Sequence, residues 1–393
     1  MPQLLVDQFE RLRNVQPSAD EYIPDTVEAV LTSAREAGAT DIHLTPTADA
    51  LTMQWRIDGV LHTVTTFEAK DAPRVVARLK VLAGLLTYRN DIPQEGRISG
   101  THETRVSTIP TLFGEKAVVR LFAEAGQYQW LEQLGLPQHI ETPLRPLLEQ
   151  TSGVVLFTGP AGSGKTTTIY SCMREIAAAT NGTRSLASIE DPIEVVVPGV
   201  AQTQVNASAG MDLAATLRAM MRQDPEVIMV GEIRDAATAE AVFQAALTGH
   251  LVLTTFHAGN VTGAIGRLLD MGIEPYLLRS AIRAVVGQRL LRALCNDCSV
   301  VGSDDGREPA GCDVCHGTGY RGRLAVGEIL SPNNSEAGRA ILSRTDTAEL
   351  QSVACANGLV PQEQLAREAV EAGRTSLAEV YRVFGRQGMS TDV

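Results

Sequence analysis

The chain is poor in aromatic residues and in positive charge. Aromatic side chains make up 4% of the 393 residues, and only two of them are tryptophans. Lysine and arginine total 34 against 46 aspartates and glutamates, which gives a formal net charge of −12. Nucleic-acid binding usually relies on a basic surface, and single-strand binding also relies on aromatic stacking. The composition therefore argues against a general nucleic-acid binder and predicts no nucleic-acid partner.

Long apolar runs are also missing. The first residues, MPQLLVDQFERLRNVQ, carry charges from position 7 onward and lack the continuous apolar core of a secretory signal. No stretch approaches the roughly 18 apolar residues that a membrane-spanning helix needs. The sequence thus predicts a soluble, cytoplasmic protein whose membrane association, if any, would be through partner proteins.

Cysteine is scarce, but four of the six cysteines form a pattern. Two C-x-x-C pairs, Cys295 with Cys298 and Cys312 with Cys315, are separated by 13 residues. In a chain without an export signal this spacing indicates a metal site rather than disulfides. Four thiolates suit a tetrahedral site, so we predict that these cysteines hold a structural Zn²⁺ ion. Four reduced cysteines without metal are the alternative, whereas haem attachment at CDVCH would leave the first pair unexplained.

The most specific feature that is present is a phosphate-binding loop, or P-loop. The run VVLFTGPAGSGKTTTI, residues 154–169, joins an apolar strand to a helix through a glycine-rich turn. The glycines let backbone N–H groups surround a phosphate, and the helix N-terminus adds positive partial charge. Lys165 supplies a full charge for the β- and γ-phosphates, and Thr166 offers a hydroxyl to Mg²⁺. The predicted nucleotide-binding residues are Gly159, Pro160, Ala161, Gly162, Ser163, Gly164, Lys165, Thr166 and Thr167.

Strands and helices alternate after this loop. Such alternation is typical of a parallel, doubly wound sheet, whose ligands bind at the carboxyl ends of the strands. Glu190, Glu232 and His257 each follow one of the predicted strands, so we expect them to gather beside the P-loop. The predicted elements are strands at 185–189, 227–230 and 251–255 and helices at 213–221 and 236–246.

These residues supply the chemistry that ATP hydrolysis needs. Hydrolysis requires a metal ion that neutralises phosphate charge and a group that orients the attacking water. Glu190 is our first candidate for orienting the water and Glu232 for the shell of Mg²⁺, although the sequence leaves an exchange of these roles open. His257 is a candidate sensor of the γ-phosphate through a hydrogen bond. The predicted activity is Mg²⁺-dependent ATP hydrolysis.

The segment before the P-loop has the pattern of a separate α+β domain. Helical periodicity alternates with strand-like runs, one of which ends in a turn at Asp58-Gly59. A polar stretch at 91–97, DIPQEGR, is interpreted as a loop, and two further strands are predicted at 104–109 and 116–122. Several prolines then mark a linker to the P-loop strand. The sequence therefore predicts one self-sufficient α+β domain before the linker and the P-loop domain.

Several long motifs together resemble one family, the secretion ATPases that power type II secretion and type IV pilus assembly (the GspE/PilB type). They cover about residues 39–330 in the family's order, and the tail AGRTSLAEVYRVFG also resembles the end of that family. This combination is far more specific than the P-loop alone. The matching runs are ATDIHLTP, WRIDGVL, IPQEGRI, RVSTIPTLFGEKAVVR, TGPAGSGKTTT, SIEDPIE, LRAMMRQDPEVIMVGEIRD, ALTGHLVLTTFH, GQRLLRALC, GCDVCHGTGYRGR and AVGEIL.

The resemblance implies a PAS-like domain and a RecA-like ATPase domain that assemble as a homohexamer. It identifies SIEDPIE as the Asp box, VIMVGEIRD as Walker B and TTFH as the His box. It also implies that Arg105 and Arg120 act as arginine fingers, a role that suits bidentate guanidinium groups. Arg234 is a further candidate for a phosphate or interface contact. The predicted fold class is α/β, a RecA-like P-loop ATPase domain with a smaller PAS-like α+β N-terminal domain and a tetracysteine metal subdomain.

The chain departs from the family pattern in three respects. The large N-terminal adaptor domain is expected to be absent, the loop between the cysteine pairs is short, and the His box continues as TFHAGN. The predicted segments are a lead-in at 1–24, the PAS-like domain at 25–122, a linker at 123–150, the RecA-like ATPase domain at 151–290, the zinc subdomain at 291–330 and a helical C-terminal region at 331–393.

The resemblance implies a hexameric cytoplasmic ATPase motor that drives assembly or extrusion of pilin or pseudopilin through an inner-membrane platform protein. A pilus-retraction motor of the same superfamily is the alternative, against which the cysteine pairs argue. A nucleic-acid translocase conflicts with the acidic composition. A nucleotide-binding scaffold with little turnover is a third alternative, and the presence of both strand-end acids argues against it.

Overall fold

The computed structural model describes residues 22–98, 104–121, 129–206, 209–302, 306–333 and 335–386. Each of the six predicted segments includes some residues outside these ranges, and so does the predicted strand at 116–122. The described chain divides into two units. The first unit combines Met1–Glu124 with Arg292–Arg323, and the second combines Ala125–Leu291 with Leu324–Val393. The cysteine-rich segment is therefore part of the first unit.

The first unit contains a six-stranded antiparallel sheet with two helices. Its main elements are α1 Tyr22–Glu36, β1 Ala39–Pro46, β2 Ala50–Ile57, β3 Val60–Glu68, α2 Ala72–Leu82, β4 Gln94–Ile98, β5 Thr104–Thr111 and β6 Gly114–Leu121. The strands lie in the order β3-β2-β1-β6-β5-β4. Alternate residues of β2, namely Leu51, Met53 and Trp55, are fully buried in one cluster with apolar residues of both helices. One face of the sheet thus forms the core of this unit.

The sequence does not predict the two edge strands of this sheet. β3 pairs with β2, and β4 pairs with β5 over Gln94–Ile98. The interpretation of 91–97 as a loop is therefore wrong for its second half. Both strands lie at an edge and keep most of their residues partly exposed. Their polar residues consequently do not produce the clean hydrophobic alternation by which an inner strand is identified.

The second unit is built on a seven-stranded sheet, ordered β15-β12-β7-β11-β10-β8-β9. Its strands are β7 Gly153–Thr158, β8 Leu186–Glu190, β9 Val200–Gln204, β10 Val227–Val230, β11 Leu251–Phe256, β12 Ile282–Leu294 and β15 Tyr320–Leu330. All pairings from β12 through β9 are parallel. The predicted α/β fold with a parallel sheet is confirmed by this topology. The last three residues of β12 and the first four of β15 run into the first unit.

Helices cover both faces of this sheet. They are α3 Gln138–Leu148, α4 Lys165–Thr180, α5 Leu213–Met220, α6 Ala236–Leu247, α7 Val261–Asp270 and α8 Pro275–Ala281, followed by α9 Glu336–Leu342, α10 Thr347–Ala356, α11 Gln362–Glu371 and α12 Leu377–Phe384. All six residues of β7 are buried. Val154 and Leu156 pack with α6 and α7 on one face, whereas Val155 and Phe157 pack with α3 and α4 on the other. This two-sided burial explains the continuous apolar run of the P-loop strand.

Two short strands, β13 Val300–Val301 and β14 Arg307–Glu308, form a hairpin between the two cysteine pairs. None of the described helices is long and apolar enough to cross a bilayer.

A buried ion pair fixes α2 of the first unit and provides a stability test. The Lys80 ammonium is fully buried and donates to both carboxylate oxygens of Glu115, at 2.9 and 3.1 Å, and to the Arg89 carbonyl at 2.7 Å. We expect Lys80→Met to lower the free energy of unfolding of this unit by about 3–5 kcal/mol, because it leaves the Glu115 charge buried and unpaired.

Urea denaturation followed by Trp55 fluorescence measures this loss. Trp55 is fully buried in the first unit, and Trp130→Phe removes the only other tryptophan. Lys70→Met is the matched control, since the Lys70–Glu68 pair is exposed and should contribute little. Equal unfolding curves for Lys80→Met and Lys70→Met would contradict the prediction.

Candidate nucleotide site and cysteine cluster

The P-loop connects β7 to α4 at the carboxyl edge of the parallel sheet. Gly164 precedes the helix with φ of +91°, and α4 has no side-chain cap at its N-terminus. A Cβ atom on Gly164 would lie 2.8 Å from the Gln288 side chain, and one on Gly159 would lie 2.5 Å from the Gln288 carbonyl oxygen. Only glycine fits at these two places. The backbone N–H groups at the start of α4, which no side chain caps, are available to an anion.

The Lys165 side chain folds back onto this loop. Its ammonium donates to the carbonyl oxygens of Gly159 at 2.7 Å and Pro160 at 2.8 Å. Burial lowers the pKa of Lys165 to about 8, although the nearby Glu232 carboxylate opposes this shift; the Arg289 charge adds to it. A phosphate would give the ammonium a stronger partner than two carbonyls. Lys165 is thus a buried cation whose charge an anionic ligand would favour.

The other predicted residues of the loop surround this lysine. Pro160, Ala161 and Gly162 are exposed at the turn, as is Thr167 on the helix. Thr166 is partly exposed in the first turn of α4. Ser163 is buried, and its hydroxyl has no hydrogen-bond partner among the described residues. The exposed part of the loop and the Thr166 hydroxyl are where a nucleotide and its cation could approach.

Gln288 lies on β12 and contacts the P-loop. No sequence pattern identified this residue as part of the site. Its side-chain oxygen accepts a hydrogen bond from Thr168 of α4 at 2.9 Å, and both groups are buried. Gly159 and Gly164 also lie close to this residue. Gln288 lies within the family motif GQRLLRALC, but only the pairing of β12 with β7 brings it to the P-loop.

Glu232 and His257 form a pair at the ends of neighbouring strands. The Nε2 atom of His257 lies 3.0 Å from a Glu232 carboxylate oxygen. Arg234 donates to the other Glu232 oxygen and, at 2.9 Å, to Asp191 at the end of β8. Glu232 is 22% exposed and His257 is 49% exposed, so both face solvent beside Lys165. This group can bind a cation, orient a water molecule and exchange protons with it.

Glu190, the last residue of β8, faces a different set of residues. Its side chain is buried, and both carboxylate oxygens accept hydrogen bonds, one from Tyr170 of α4 and one from Ser188 and Gln202. Burial, together with the hydrogen bond to this carboxylate, raises the pKa of Tyr170. The carboxylate of Glu190 therefore joins α4, β8 and β9. Tyr170 and Gln202 had no sequence signal, because their roles depend on this three-way contact.

Arg105 and Arg120 lie in a row of charged residues across the first unit's sheet. The cross-strand register places Arg97, Arg105, Arg120, Asp41 and Arg56 side by side on β4, β5, β6, β1 and β2. Asp41 pairs with Arg120 at 3.0 Å and with Arg56 at 3.6 Å, and Glu95 pairs with Arg105 at 3.0 Å. Like charges directly opposite each other destabilise a sheet. Three adjacent arginines therefore indicate a surface suited to a polyanion.

The four paired cysteines converge in the first unit. Their Sγ atoms all lie within 4.8 Å of one another, with separations of 3.9 Å for Cys295–Cys312, 3.7 Å for Cys298–Cys315 and 3.8 Å for Cys312–Cys315. A tetrahedral Zn²⁺ site with Zn–S bonds of about 2.3 Å has S–S edges of about 3.8 Å. The cluster therefore has the geometry of a tetrathiolate metal site.

Backbone amides favour thiolates in this cluster. The N–H groups of Cys312 and Gly319 each donate to the Cys315 sulfur at 3.2 Å, and that of Gly311 donates to Cys298 at 3.3 Å. Burial opposes ionisation of Cys315, but the amides of Cys312 and Gly319 and the neighbouring thiols lower its pKa to about 6, whereas burial raises the pKa of Cys298 to about 12. The cluster can hold a metal ion, whereas the two other cysteines, Cys172 and Cys355, lie elsewhere, and Cys355 is only partly buried.

Comparison with known proteins gives a consistent result. Residues 16–382 match the family model described as type II/IV secretion system protein. The chain is 39% identical to the type II secretion system protein HxcR of Pseudomonas aeruginosa over 91% of its length and 76% of that protein. It is 38% identical to the type IV pilus assembly ATPase TfpB of Acinetobacter baylyi, over 94% of its length and 67% of that protein.

A solved structure shows the same fold. The crystal structure of the pilus retraction motor PilT with bound ADP aligns with a TM-score of 0.62 and 25% identity, over 91% of this chain and 96% of that one. The family and the ATPase fold that the sequence motifs predict are confirmed by these similarities. The chain belongs to the type II/IV secretion system protein family.

Proposed function

We propose that this chain is a Mg²⁺-dependent ATPase that acts as a mechanical motor in a type II secretion or type IV pilus assembly system. The observation that carries this proposal is the group of Lys165, Glu232 and His257 at one edge of the parallel sheet. A buried lysine in a P-loop binds phosphate, and the adjacent carboxylate–imidazole pair supplies acid–base groups. The family relationship supports the same activity.

The residues of the site divide the work of hydrolysis. Lys165 and the N-terminus of α4 bind the β- and γ-phosphates. The Thr166 hydroxyl would hold Mg²⁺, which neutralises negative charge on the phosphates when it is bound. The Glu232 carboxylate orients the attacking water and accepts its proton, while His257 fixes the position of that carboxylate. Arg234, between Glu232 and Asp191, restrains the same group from the other side.

This assignment moves the water-orienting role from Glu190 to Glu232 and gives Glu190 a structural role. Glu232 is partly exposed and raises the pKa of Lys165, so it lies within electrostatic reach of the bound phosphate. Glu190 is buried and already accepts three hydrogen bonds. It has little capacity left for a water molecule in this arrangement. We therefore assign Glu190 to positioning α4 relative to β8, and Glu232 to the chemistry.

We also assign a role to Arg105 and Arg120, which lie in the first unit. Their row of guanidinium groups suits a polyphosphate, and its ion pairs with Asp41 and Glu95 are partners that a nucleotide could replace. We propose that they act as arginine fingers in a homohexamer, where a neighbouring subunit can supply them. Opening and closing of the hexamer during ATP turnover would then move a platform protein at the cytoplasmic face of the inner membrane.

A retraction motor is the second candidate, because PilT has the same fold. The tetracysteine cluster favours the assembly or secretion reading, since the resemblance associates it with that branch of the superfamily. A secretion defect, a loss of pilus extension or a loss of pilus retraction in a deletion strain would distinguish the three outputs.

Substitutions of the two acids should have different effects on ATP hydrolysis. We expect Glu232→Gln to lower kcat for ATP hydrolysis by about 10²–10⁴-fold while ATP still binds, because general-base catalysis is lost. Glu190→Gln and Tyr170→Phe should lower kcat much less and reduce the thermal stability of the second unit instead. Steady-state phosphate release, fluorescent-nucleotide binding and thermal unfolding measure the three quantities. Lys165→Ala is the inactive reference. A larger kcat loss in Glu190→Gln than in Glu232→Gln would contradict this assignment.

The second prediction concerns pH. Lys165 has a pKa of about 8 in the nucleotide-free site because of burial. A bound polyphosphate should raise this pKa, so ATP binding should take up protons and weaken as the pH rises from 8 to 9. Calorimetric titrations in buffers with different ionisation enthalpies measure the proton uptake. Lys165→Met should bind weakly and without this pH dependence. Pure wild-type protein with equal affinity at both pH values would refute the prediction.

The third prediction concerns the cysteine cluster. We propose that Cys295, Cys298, Cys312 and Cys315 bind one structural Zn²⁺ ion, and elemental analysis of the purified chain should find it. Cys312→Ser should abolish stoichiometric zinc and lower the thermal stability of the first unit, because the short loop there has few other restraints. Cys355→Ser is the matched control and should keep the metal. If the wild-type protein is as thermally stable without metal as with it, the four cysteines are reduced thiols and do not form a structural metal site.

A further inference from the structure

The turn that carries His257 is held by residues from the C-terminal part of the chain. It runs from His257 to Asn260, between β11 and α7. Its first half is fixed locally: Arg267 of α7 donates to the His257 carbonyl, and Thr158 at the end of β7 hydrogen-bonds with Ala258. Its second half is fixed from farther away, because the Gly259 carbonyl accepts two hydrogen bonds from other elements.

These two donors are Gln362 and Arg289. The side-chain amide of Gln362, the first residue of α11, donates to the Gly259 carbonyl at 2.8 Å. The guanidinium of Arg289, on β12 next to Gln288, donates to the same oxygen, also at 2.8 Å. Gln362 is 1% exposed although it is polar, and this hydrogen bond joins residues 103 positions apart in the sequence. A buried amide directed at one carbonyl restrains that carbonyl strongly.

Glu328 joins the same elements through a second contact. This residue of β15 is fully buried, and its carboxylate accepts hydrogen bonds from the backbone N–H of Val261 at 2.8 Å and of Gln362 at 3.3 Å. Val261 and Gln362 are the first residues of α7 and α11. One side-chain carboxyl group therefore caps two helix N-termini, whose amides favour its charge, although burial raises the pKa of Glu328 to about 7. This contact fixes the spacing between α11 and the helix that follows the His257 turn.

Arg289 extends this connection to the last helix and to the P-loop. Its guanidinium lies 5.8 Å from the centre of the Phe384 ring in α12. Its charge also contributes to the lowered pKa of Lys165, so it lies within electrostatic reach of the P-loop. The C-terminal helices thus contact one side of Arg289, and the nucleotide site is near its other side.

We propose that Gln362 and Arg289 are positioning residues for His257, through which the C-terminal helices α11 and α12 set the geometry of the Glu232–His257 pair. This inference rests on the proposed ATPase function. If the Gly259 carbonyl loses its donors, the turn can shift and His257 can leave Glu232, which it now meets at 3.0 Å. Nucleotide binding by the P-loop does not need this contact. The effect should consequently appear in kcat and leave ATP affinity nearly unchanged.

Gln362→Met is the direct test, because methionine has similar length and no donor. We expect kcat to fall by up to about 100-fold, the size of effect that a small displacement of catalytic groups produces. The KM for ATP and the affinity for a fluorescent ATP analogue should stay within about twofold. Gln364→Met is the matched control: Gln364 lies on the same helix and is exposed, and its side-chain amide donates to Glu368 at 3.0 Å. It should retain wild-type kcat.

A double-mutant cycle with His257→Ala separates positioning from general destabilisation. If Gln362 acts through His257, Gln362→Met should lower kcat far less in the His257→Ala background than in the wild type. Arg289→Met should show the same coupling to His257→Ala in kcat, and it remains informative if Gln362→Met fails to fold; because its charge lies near the P-loop, this variant should also bind ATP more weakly. Additive losses in the two backgrounds, or wild-type kcat for both single variants, would overturn the inference.

The experiments distinguish an error in the proposed ATPase function from an error in the positioning role of Gln362. A pure wild-type chain that binds ATP but shows no Lys165-dependent hydrolysis, alone or with its platform partner, would refute the ATPase proposal itself. Active wild-type protein with a Gln362→Met variant equal to the Gln364→Met control would refute only the positioning role.

Discussion

The burial of β7 on both faces is the constraint on which the nucleotide site depends. Its side chains alternate between two apolar clusters, so a shift by one residue would move every side chain into the cluster on the opposite face and disrupt the packing of both. The end of the strand at Thr158 is therefore fixed, and the P-loop must turn at the carboxyl edge of the sheet. Pairing with β11 and β12 then brings His257 and Gln288 to the same loop. The chemistry of the site follows from the register of one strand.

The two strand-end acids illustrate how position along the edge determines chemical capacity. Glu190 ends β8, and Glu232 follows the neighbouring parallel strand β10. The sequence pattern identifies both only as acids at strand ends. In the fold, Glu190 is enclosed by Tyr170, Ser188 and Gln202, whereas Glu232 remains beside Lys165 and His257. Glu190 is buried and holds the fold together, whereas Glu232, although it pairs with Arg234 and His257, remains partly exposed and can still contact a water molecule.

The predictions that succeed are those that depend on short stretches of chain. The P-loop spacing, the parallel strands and the family motifs identify the ATPase fold, because each is encoded in contiguous residues. The tetracysteine cluster is similar, since two C-x-x-C pairs supply four sulfurs with little help from the rest of the fold. The edge strands β3 and β4 are missed for the opposite reason. Half-exposed polar residues at a sheet edge give no clear hydrophobic alternation, although each of these strands pairs with its neighbour in the chain, β3 with β2 and β4 with β5.

By itself, the sequence determined the family, the parallel α/β fold, the phosphate loop and the set of residues able to perform hydrolysis. The tertiary structure decided which of those residues face one another. Strand pairing placed three arginines side by side in the first unit, and it placed Gln288 against the P-loop. It also brought Gln362 to the Gly259 carbonyl across 103 residues of chain. Hydrogen bonds are directional and act over about 3 Å, so contacts between distant segments depend on the packed fold and leave no local pattern in the sequence.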